Sequence, residues 1–153
     1  MHEQFMDIAL DEAKKALQKG NLPVGACIVL NNEVISVAHN SVDSNLNDTH
    51  HAELRAIQSV SDVLFQNKRN ATIYTTLEPC MMCLGAILNA DITHIVYGLP
   101  DKLAGTTELV KEHPYYYRKL ATITGGISAT KSQELLNQYV NEYGERKHLS
   151  SNY

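Results

Sequence analysis

The sequence of 153 residues has little cysteine, no tryptophan and no excess of positive charge. Three cysteines are too few for a disulfide-stabilised scaffold, and no apolar run approaches the roughly 18 residues that a membrane-spanning helix needs. Thirteen Lys and Arg against 17 Asp and Glu give a formal net charge of -4, so the overall charge does not indicate a nucleic-acid partner. The first residues carry charges instead of an apolar signal-peptide core. We therefore expect a cytoplasmic protein without a membrane segment.

The pattern of apolar residues predicts a mixed α/β fold. Apolar residues make up 44 % of the chain, enough for a single domain over residues 1–153. Helical spacing predicts a first helix up to Gly20, two helices at 51–60 and 81–89, and a last helix over 131–143. Runs rich in Val, Ile and Thr predict five strands at 26–30, 34–39, 71–77, 93–98 and 120–126. Strands alternating with helices predict a three-layer α/β/α sandwich around a central mixed five-stranded sheet.

Two of the three cysteines lie in the segment LEPCMMCLGAI, residues 77–87, directly after a proline. Pro79 favours a helix start, so Cys80 and Cys83 are expected to project from one face of the same helical turn. A helix N-terminus also favours the thiolate form that binds metal ions. Two thiolates leave a zinc site incomplete, because a catalytic zinc takes three ligands from the protein. Cys27, alone in an apolar run, is interpreted as a buried core residue.

The segment THHAE, residues 49–53, supplies a third ligand at the head of the second helix, with Thr49 or a neighbour as its cap. We favour His51 over His50, because Glu53 follows His51 by two residues and this spacing lets a carboxylate reach a water on the metal where the chain enters the helix. Zinc lowers the pKa of such a water from 15.7 to about 7. The sequence therefore predicts one Zn²⁺ held by His51, Cys80 and Cys83, with Glu53 as the catalytic proton carrier.

Each of these motifs also has another explanation. A single C-x-x-C motif in a reducing compartment is also typical of a redox pair, which would titrate freely without metal. A zinc-stabilised, non-catalytic binding module is a further alternative, although a structural zinc normally uses four protein ligands. Glu53 favours catalysis, because a structural metal has no need of an adjacent proton carrier.

The combination of H-A-E at residues 51–53 with P-C-M-M-C at residues 79–83 resembles the cytidine-deaminase-like zinc deaminases. The similarity extends over residues 4–99. The segments NLPVGA, AHN and TLEPCMMCLGAI are most similar to bacterial tRNA-specific adenosine deaminases, followed by fungal-type cytosine deaminases and bacterial guanine deaminases. The resemblance implies hydrolytic removal of an exocyclic amine from a nucleobase, with Glu53 relaying protons. It also implies substrate binding by Asn40 and by the Ala52 backbone amide, and a homo-oligomer, generally a dimer.

The sequence departs from the tRNA enzymes after Gly98. The segment that follows lacks part of their small-residue stretch, and the basic residues from position 131 onward are balanced by acidic ones: Lys131, Arg146 and Lys147 against Glu134, Glu142 and Glu145. Because neutralising several phosphates takes clustered cations, we favour a free base or nucleoside as substrate, with the wobble adenosine of tRNA as the alternative. Tyr115, Tyr116 and Tyr117 are able to stack on a base, to pack internally or to meet another subunit.

Overall fold

The computed structural model describes residues 1–144. Three residues that enter the predicted charge balance, Glu145, Arg146 and Lys147, lie outside the described residues. The helices are α1 (His2–Gln18), α2 (Val42–Asn45), α3 (Ala52–Ser59), α4 (Ser61–Gln66), α5 (Met81–Asn89), α6 (Pro114–Tyr117) and α7 (Ala129–Tyr143). The strands are β1 (Gly25–Leu30), β2 (Glu33–His39), β3 (Ala71–Leu77), β4 (His94–Leu99) and β5 (Thr122–Thr124), and Leu109–Glu112 forms a 3₁₀ turn.

The five strands form one mixed sheet in the order β2-β1-β3-β4-β5. Strand β1 is antiparallel to both β2 and β3, whereas β4 is parallel to both β3 and β5. Parallel neighbours need a crossover connection, and α5 provides it between β3 and β4. The predicted mixed five-stranded sheet is confirmed.

Apolar side chains cover both faces of this sheet, because successive strand residues point to opposite sides. One core packs the sheet against α3 and α5, and the other packs it against α1 and α7. Burial on both faces gives the predicted α/β/α layers. Cys27 lies fully buried in the second core, where burial raises the pKa of its thiol to about 12. None of the described helices combines the length and apolarity needed to cross a membrane.

A tight turn at Asn31 and Asn32 joins β1 to β2. Both asparagines have positive φ, 51° and 65°, as a two-residue hairpin turn of the primed type requires. The turn pairs Leu30 with Glu33, and a register shift between Ile28 and Val29 then pairs Gly25 with His39 at the far end of the hairpin. Asn40 therefore follows directly where β2 ends.

The structure differs from the sequence-based expectation at three connections. Residues 40–49, for which no helix is predicted, contain the short helix α2. The helix expected at 51–60 ends at Ser59, and the unpredicted helix α4 follows because Leu64 is buried against the core. The expected side-chain cap at Thr49 or a neighbour is absent: the residue before α3 is His51, whose side chain makes no capping hydrogen bond, and Thr49 Oγ1 donates to Asn47 Oδ1, 2.9 Å away.

Candidate active site

Two helix starts place three metal-binding side chains next to one another. His51 precedes α3 and Cys80 precedes α5, both with extended backbone. The His51 carbonyl accepts a hydrogen bond from Arg55 N at 3.1 Å, and the Cys80 carbonyl accepts one from Leu84 N at 2.8 Å. These bonds begin the two helices, so both side chains leave the backbone at a helix start, as the sequence predicts.

The ligand atoms of His51, Cys80 and Cys83 all lie within 4.8 Å of one another. His51 Nδ1 is 3.6 Å from the Sγ of Cys80 and 3.6 Å from the Sγ of Cys83. Tetrahedral zinc, with bonds of about 2.3 Å to sulfur and about 2.1 Å to nitrogen, separates such ligands by about 3.6 Å. No other His, Cys, Asp or Glu within residues 1–144 joins this group. The three residues therefore fit one Zn²⁺. Three is also the number of ligands that a catalytic zinc takes from the protein.

The two sulfur atoms perturb each other's protonation. The hydrogen bond from the Cys83 thiol lowers the pKa of Cys80, and the same interaction raises the pKa of Cys83. The two thiols therefore titrate as a pair. Because metal binding requires thiolates, it is expected to displace the thiol protons from the pair.

Glu53 is the buried carboxylate beside this group. It is 4 % exposed in the first turn of α3, and burial raises the pKa of its carboxyl group above the ordinary value of 4.5. Thr75 on β3 donates its hydroxyl proton to Glu53 Oε1 at 2.9 Å. This hydrogen bond holds one oxygen of the Glu53 carboxylate in place.

A cavity of about 620 Å³ opens over His51, Glu53 and Cys80. Its volume lies within the range of small-molecule sites in proteins. Tyr139 and Tyr143 of α7 contribute aromatic surface to its wall. No Lys or Arg among the described residues lines the cavity. Four carboxylates besides Glu53 do: Asp43, Asp48, Glu78 and Asp101. The cavity is therefore aromatic and acidic.

Of the two predicted substrate-binding residues, Asn40 lines the cavity, whereas Ala52 is fully buried and does not. Asn40 is buried, and its Oδ1 accepts a hydrogen bond from Val42 N at 3.1 Å. Ala52 is the first residue of α3, where the backbone N–H has no partner within the helix. His50, which the sequence leaves without a role, lies with its Nδ1 3.1 Å from Asn45 Nδ2. It therefore holds the loop before α3 rather than a metal.

Sequence reasoning missed the residues that distant segments bring to the site. Tyr139 and Tyr143 read as the apolar side of the last helix, and only the packing of α7 places them at the cavity. Thr75 reads as an ordinary strand residue. The tyrosines at 115–117 do not line the cavity; Tyr116 packs against the core, and Tyr115 lies beneath the cationic groups of Arg118 and Lys119.

Comparison with known families agrees with this geometry. Residues 1–99 match the cytidine and deoxycytidylate deaminase zinc-binding region, a stretch that includes β1 to β4 and all three metal-binding residues. The chain belongs to this family of zinc-dependent deaminases. The predicted family, enzyme class and zinc cofactor are thereby confirmed.

Individual relatives extend the similarity beyond residue 99. A tRNA-specific adenosine deaminase of Bacillus subtilis is 32 % identical over 150 residues, covering 95 % of this chain and 92 % of the relative. A solved tRNA:A34 deaminase, which edits A to I at the wobble position, is 33 % identical with a TM-score of 0.79, over 87 % of this chain and 99 % of the other. A guanine deaminase of Nitrosomonas europaea, 18 % identical with a TM-score of 0.72 over 90 % and 83 % of the two chains, shares the fold.

Proposed function

We propose that the chain hydrolyses the exocyclic amine of a nucleobase presented as a free base or nucleoside. The observation that carries this proposal is the buried carboxylate of Glu53 on the wall of the cavity that His51 and Cys80 also line. In the reaction, water adds to the ring carbon that bears the amine, the carbon–nitrogen bond breaks, and the products are a ring carbonyl and ammonia. When bound, zinc supplies a Lewis acid that makes water nucleophilic at neutral pH.

Glu53 performs the proton transfers in this scheme. Its carboxylate takes a proton from the attacking water and delivers it to the substrate, while the hydrogen bond from Thr75 fixes Oε1. Asn40, which lines the cavity, and the backbone N–H of Ala52, which has no partner within α3, bind the edge of the base in this scheme. Burial supports the assignment, because a carboxyl group whose pKa is raised towards neutrality exchanges protons efficiently.

The acidic cavity supports a substrate without phosphate. The carboxylates Asp43, Asp48 and Asp101 line it, and such a rim repels the phosphates of a polynucleotide. Lys131, at the start of α7, already forms an ion pair: its Nζ lies 2.6 Å from Asp7 Oδ1. The aromatic rings of Tyr139 and Tyr143 provide a surface that a heterocycle can stack on.

Conversion of adenosine to inosine in tRNA is the second candidate. It is supported by the 32 % identity to the Bacillus subtilis tRNA-specific adenosine deaminase over almost the whole of both chains. The two candidates differ in whether the sugar-phosphate backbone around the base is recognised. They are therefore separated by substrate and not by chemistry.

The test measures ammonia release from cytosine, guanine, adenine and their nucleosides, beside inosine formation in an anticodon stem-loop. We expect turnover of at least one small molecule by zinc-loaded protein and a loss of about 100-fold or more in Glu53→Gln at unchanged zinc content. Glu108→Gln, at an exposed glutamate paired with Lys111, is the matched control. Inosine without small-molecule turnover would establish the tRNA candidate, and full activity of Glu53→Gln would refute the enzyme mechanism.

We also propose that the chain acts as a homo-oligomer, most simply a dimer. Exposed apolar side chains occupy the segments that border the cavity: Leu46 is 93 % exposed, Met81 72 % and Leu103 52 %. Burying such side chains between subunits is favourable. Sedimentation velocity is expected to show a dimer that Leu46→Lys weakens, and a fully active monomer would contradict this proposal.

A further inference from the structure

A partly buried polar cluster between α1 and the end of β2 takes no part in the deamination chemistry. Glu12 has a side chain only 7 % exposed, and its carboxylate accepts hydrogen bonds from Lys15 Nζ and from His39 Nδ1, the latter at 2.8 Å. Lys19 Nζ lies 3.3 Å from the other ring nitrogen of His39. An ammonium group only donates, so His39 Nε2 accepts a hydrogen bond from Lys19 Nζ. The ring proton therefore lies on His39 Nδ1, which donates a hydrogen bond to the Glu12 carboxylate. Glu12, His39 and the two lysines form one connected set, which we call the Glu12–His39 cluster.

The cluster lies where β2 ends. Gly25 pairs with His39 across the hairpin, and a Cβ at Gly25 would overlap the backbone of α1 at Ala9. Helix α1 therefore rests directly on this pair of residues, which brings the Glu12 carboxylate over the His39 ring. The contact between Glu12 and His39 therefore joins the helical layer that contains α1 to the residue of the sheet that precedes Asn40.

The backbone around Asn40 is fixed from other sides as well. Arg55 Nη1 of α3 donates to the His39 carbonyl at 3.1 Å, and Asn40 N donates to the Val24 carbonyl at 2.9 Å. With Asn40 Oδ1 bonded to Val42 N, the side-chain amide has one defined orientation at the cavity wall. The hydrogen bond from the His39 side chain to Glu12 is a further contact that restrains this segment.

We propose that Glu12 and His39 are positioning residues that set the orientation of the Asn40 side chain for substrate binding. This inference rests on the proposed function, in which Asn40 contacts the base. The hydrogen bond between the Glu12 carboxylate and His39 restricts the end of β2, where the next residue, Asn40, leaves the sheet. Loosening this contact is expected to weaken substrate binding and to leave the proton transfer by Glu53 intact.

Steady-state kinetics on the best small-molecule amine test the proposal. We expect Glu12→Gln to raise KM by at least about fivefold with kcat changed less than about twofold and with zinc content unchanged. Asp11→Asn is the matched control: Asp11 lies on the same helix and pairs with Lys14 at 2.8 Å on the surface. An unchanged KM in Glu12→Gln would overturn the proposal.

A double-mutant cycle separates positioning from a general effect on the fold. If Glu12 acts through Asn40, Glu12→Gln adds less than about twofold to KM in an Asn40→Ala background. An equal effect in both backgrounds would overturn the proposal while leaving the deaminase assignment in place. If no amine or anticodon stem-loop is hydrolysed by the parent protein, the proposed function itself fails.

A second variant and a spectroscopic readout cover the case in which Glu12→Gln does not fold. His39→Gln leaves the Glu12–Lys15 ion pair in place and is expected to raise KM in the same way. In folded protein, the side-chain amide resonance of Asn40 is expected to shift in His39→Gln and to stay in place in Asp11→Asn. An unmoved Asn40 resonance would refute the positioning role.

Discussion

At the scale of single residues, Glu12 links the stability of the fold to pH. Burial raises its pKa, but hydrogen bonds from Lys15 and His39 outweigh burial and hold the pKa below 4.5. The stabilisation is therefore complete above pH 4.5 and is lost as the pH falls through the lowered value. We expect Glu12→Gln to reduce the free energy of unfolding by about 1–2 kcal/mol at pH 7, and the difference to shrink below pH 4.5. Urea unfolding across this range measures it; a pH-independent difference would contradict it.

Ser132 provides a second test with a single side chain. Its Oγ is the one buried side-chain oxygen or nitrogen in the described part of the chain without a hydrogen-bond partner. Ser132→Ala removes this group and is expected to raise the free energy of unfolding by about 1 kcal/mol. Ser36→Ala is the control, because Ser36 Oγ donates to the Ala56 carbonyl at 2.9 Å and its loss is expected to cost about 1 kcal/mol. Equal destabilisation in both variants would show that the Ser132 hydroxyl is satisfied.

At the scale of structural elements, Glu78 holds the loop that connects β4 to the 3₁₀ turn. Its Oε2 accepts from Thr107 N at 3.2 Å and from Thr107 Oγ1 at 3.0 Å, and Oε1 accepts from Asp101 N at 3.4 Å. Because Asp101 and Ala104 of this loop line the cavity, a loosened loop alters the site.

Glu78→Ala is therefore expected to speed hydrogen exchange at the Thr107 amide by at least about tenfold. The amides of α1 are expected to keep their protection, since they lie in another layer. Glu108→Ala, which removes only an exposed pair with Lys111, serves as the control. Unchanged exchange at Thr107 in Glu78→Ala would show that the loop is held by other contacts.

The elements that the sequence predicts best are those with local signals. The expected strand 71–77 and helix 81–89 coincide with β3 and α5, because a β-branched run and a proline-led apolar helix are each recognisable from a few residues. The metal-binding residues are predictable for the same reason, since each lies at a helix start. Tyr139 and Tyr143 depend instead on how α7 packs across the molecule. The last strand, expected over 120–126, is shorter at both ends and spans only Thr122–Thr124, and beyond it Gly126 adopts a φ of 87°.

At the scale of the whole molecule, metal binding is expected to stabilise the fold. The three candidate ligands lie at the starts of α3 and α5, so an ion would join His51 to Cys80, which is 29 residues further along the chain. A ligand at 100 times its Kd adds about 2.7 kcal/mol to the free energy of unfolding. Chelation is therefore expected to lower the thermal midpoint of the native protein.

Cysteine variants identify which sulfurs are responsible. Cys83→Ser is expected to lose zinc and, with it, the response of the thermal midpoint to chelator. Cys27→Ser is the control, because Cys27 Sγ only donates to the Phe5 carbonyl within the core, 3.4 Å away. A normal zinc stoichiometry in Cys83→Ser would contradict the ligand set.

Part of the cavity wall comes from stretches of the chain that are remote from the proposed reactive groups. His51, Glu53 and Cys80 belong to the middle, whereas Leu22 lies after the first helix and Tyr143 at the end of the last. Substitutions accumulating near the two ends can therefore remodel which ring is accepted without touching the atoms that cleave the amine. One hydrolytic centre can therefore be kept unchanged while the substrates that it accepts change.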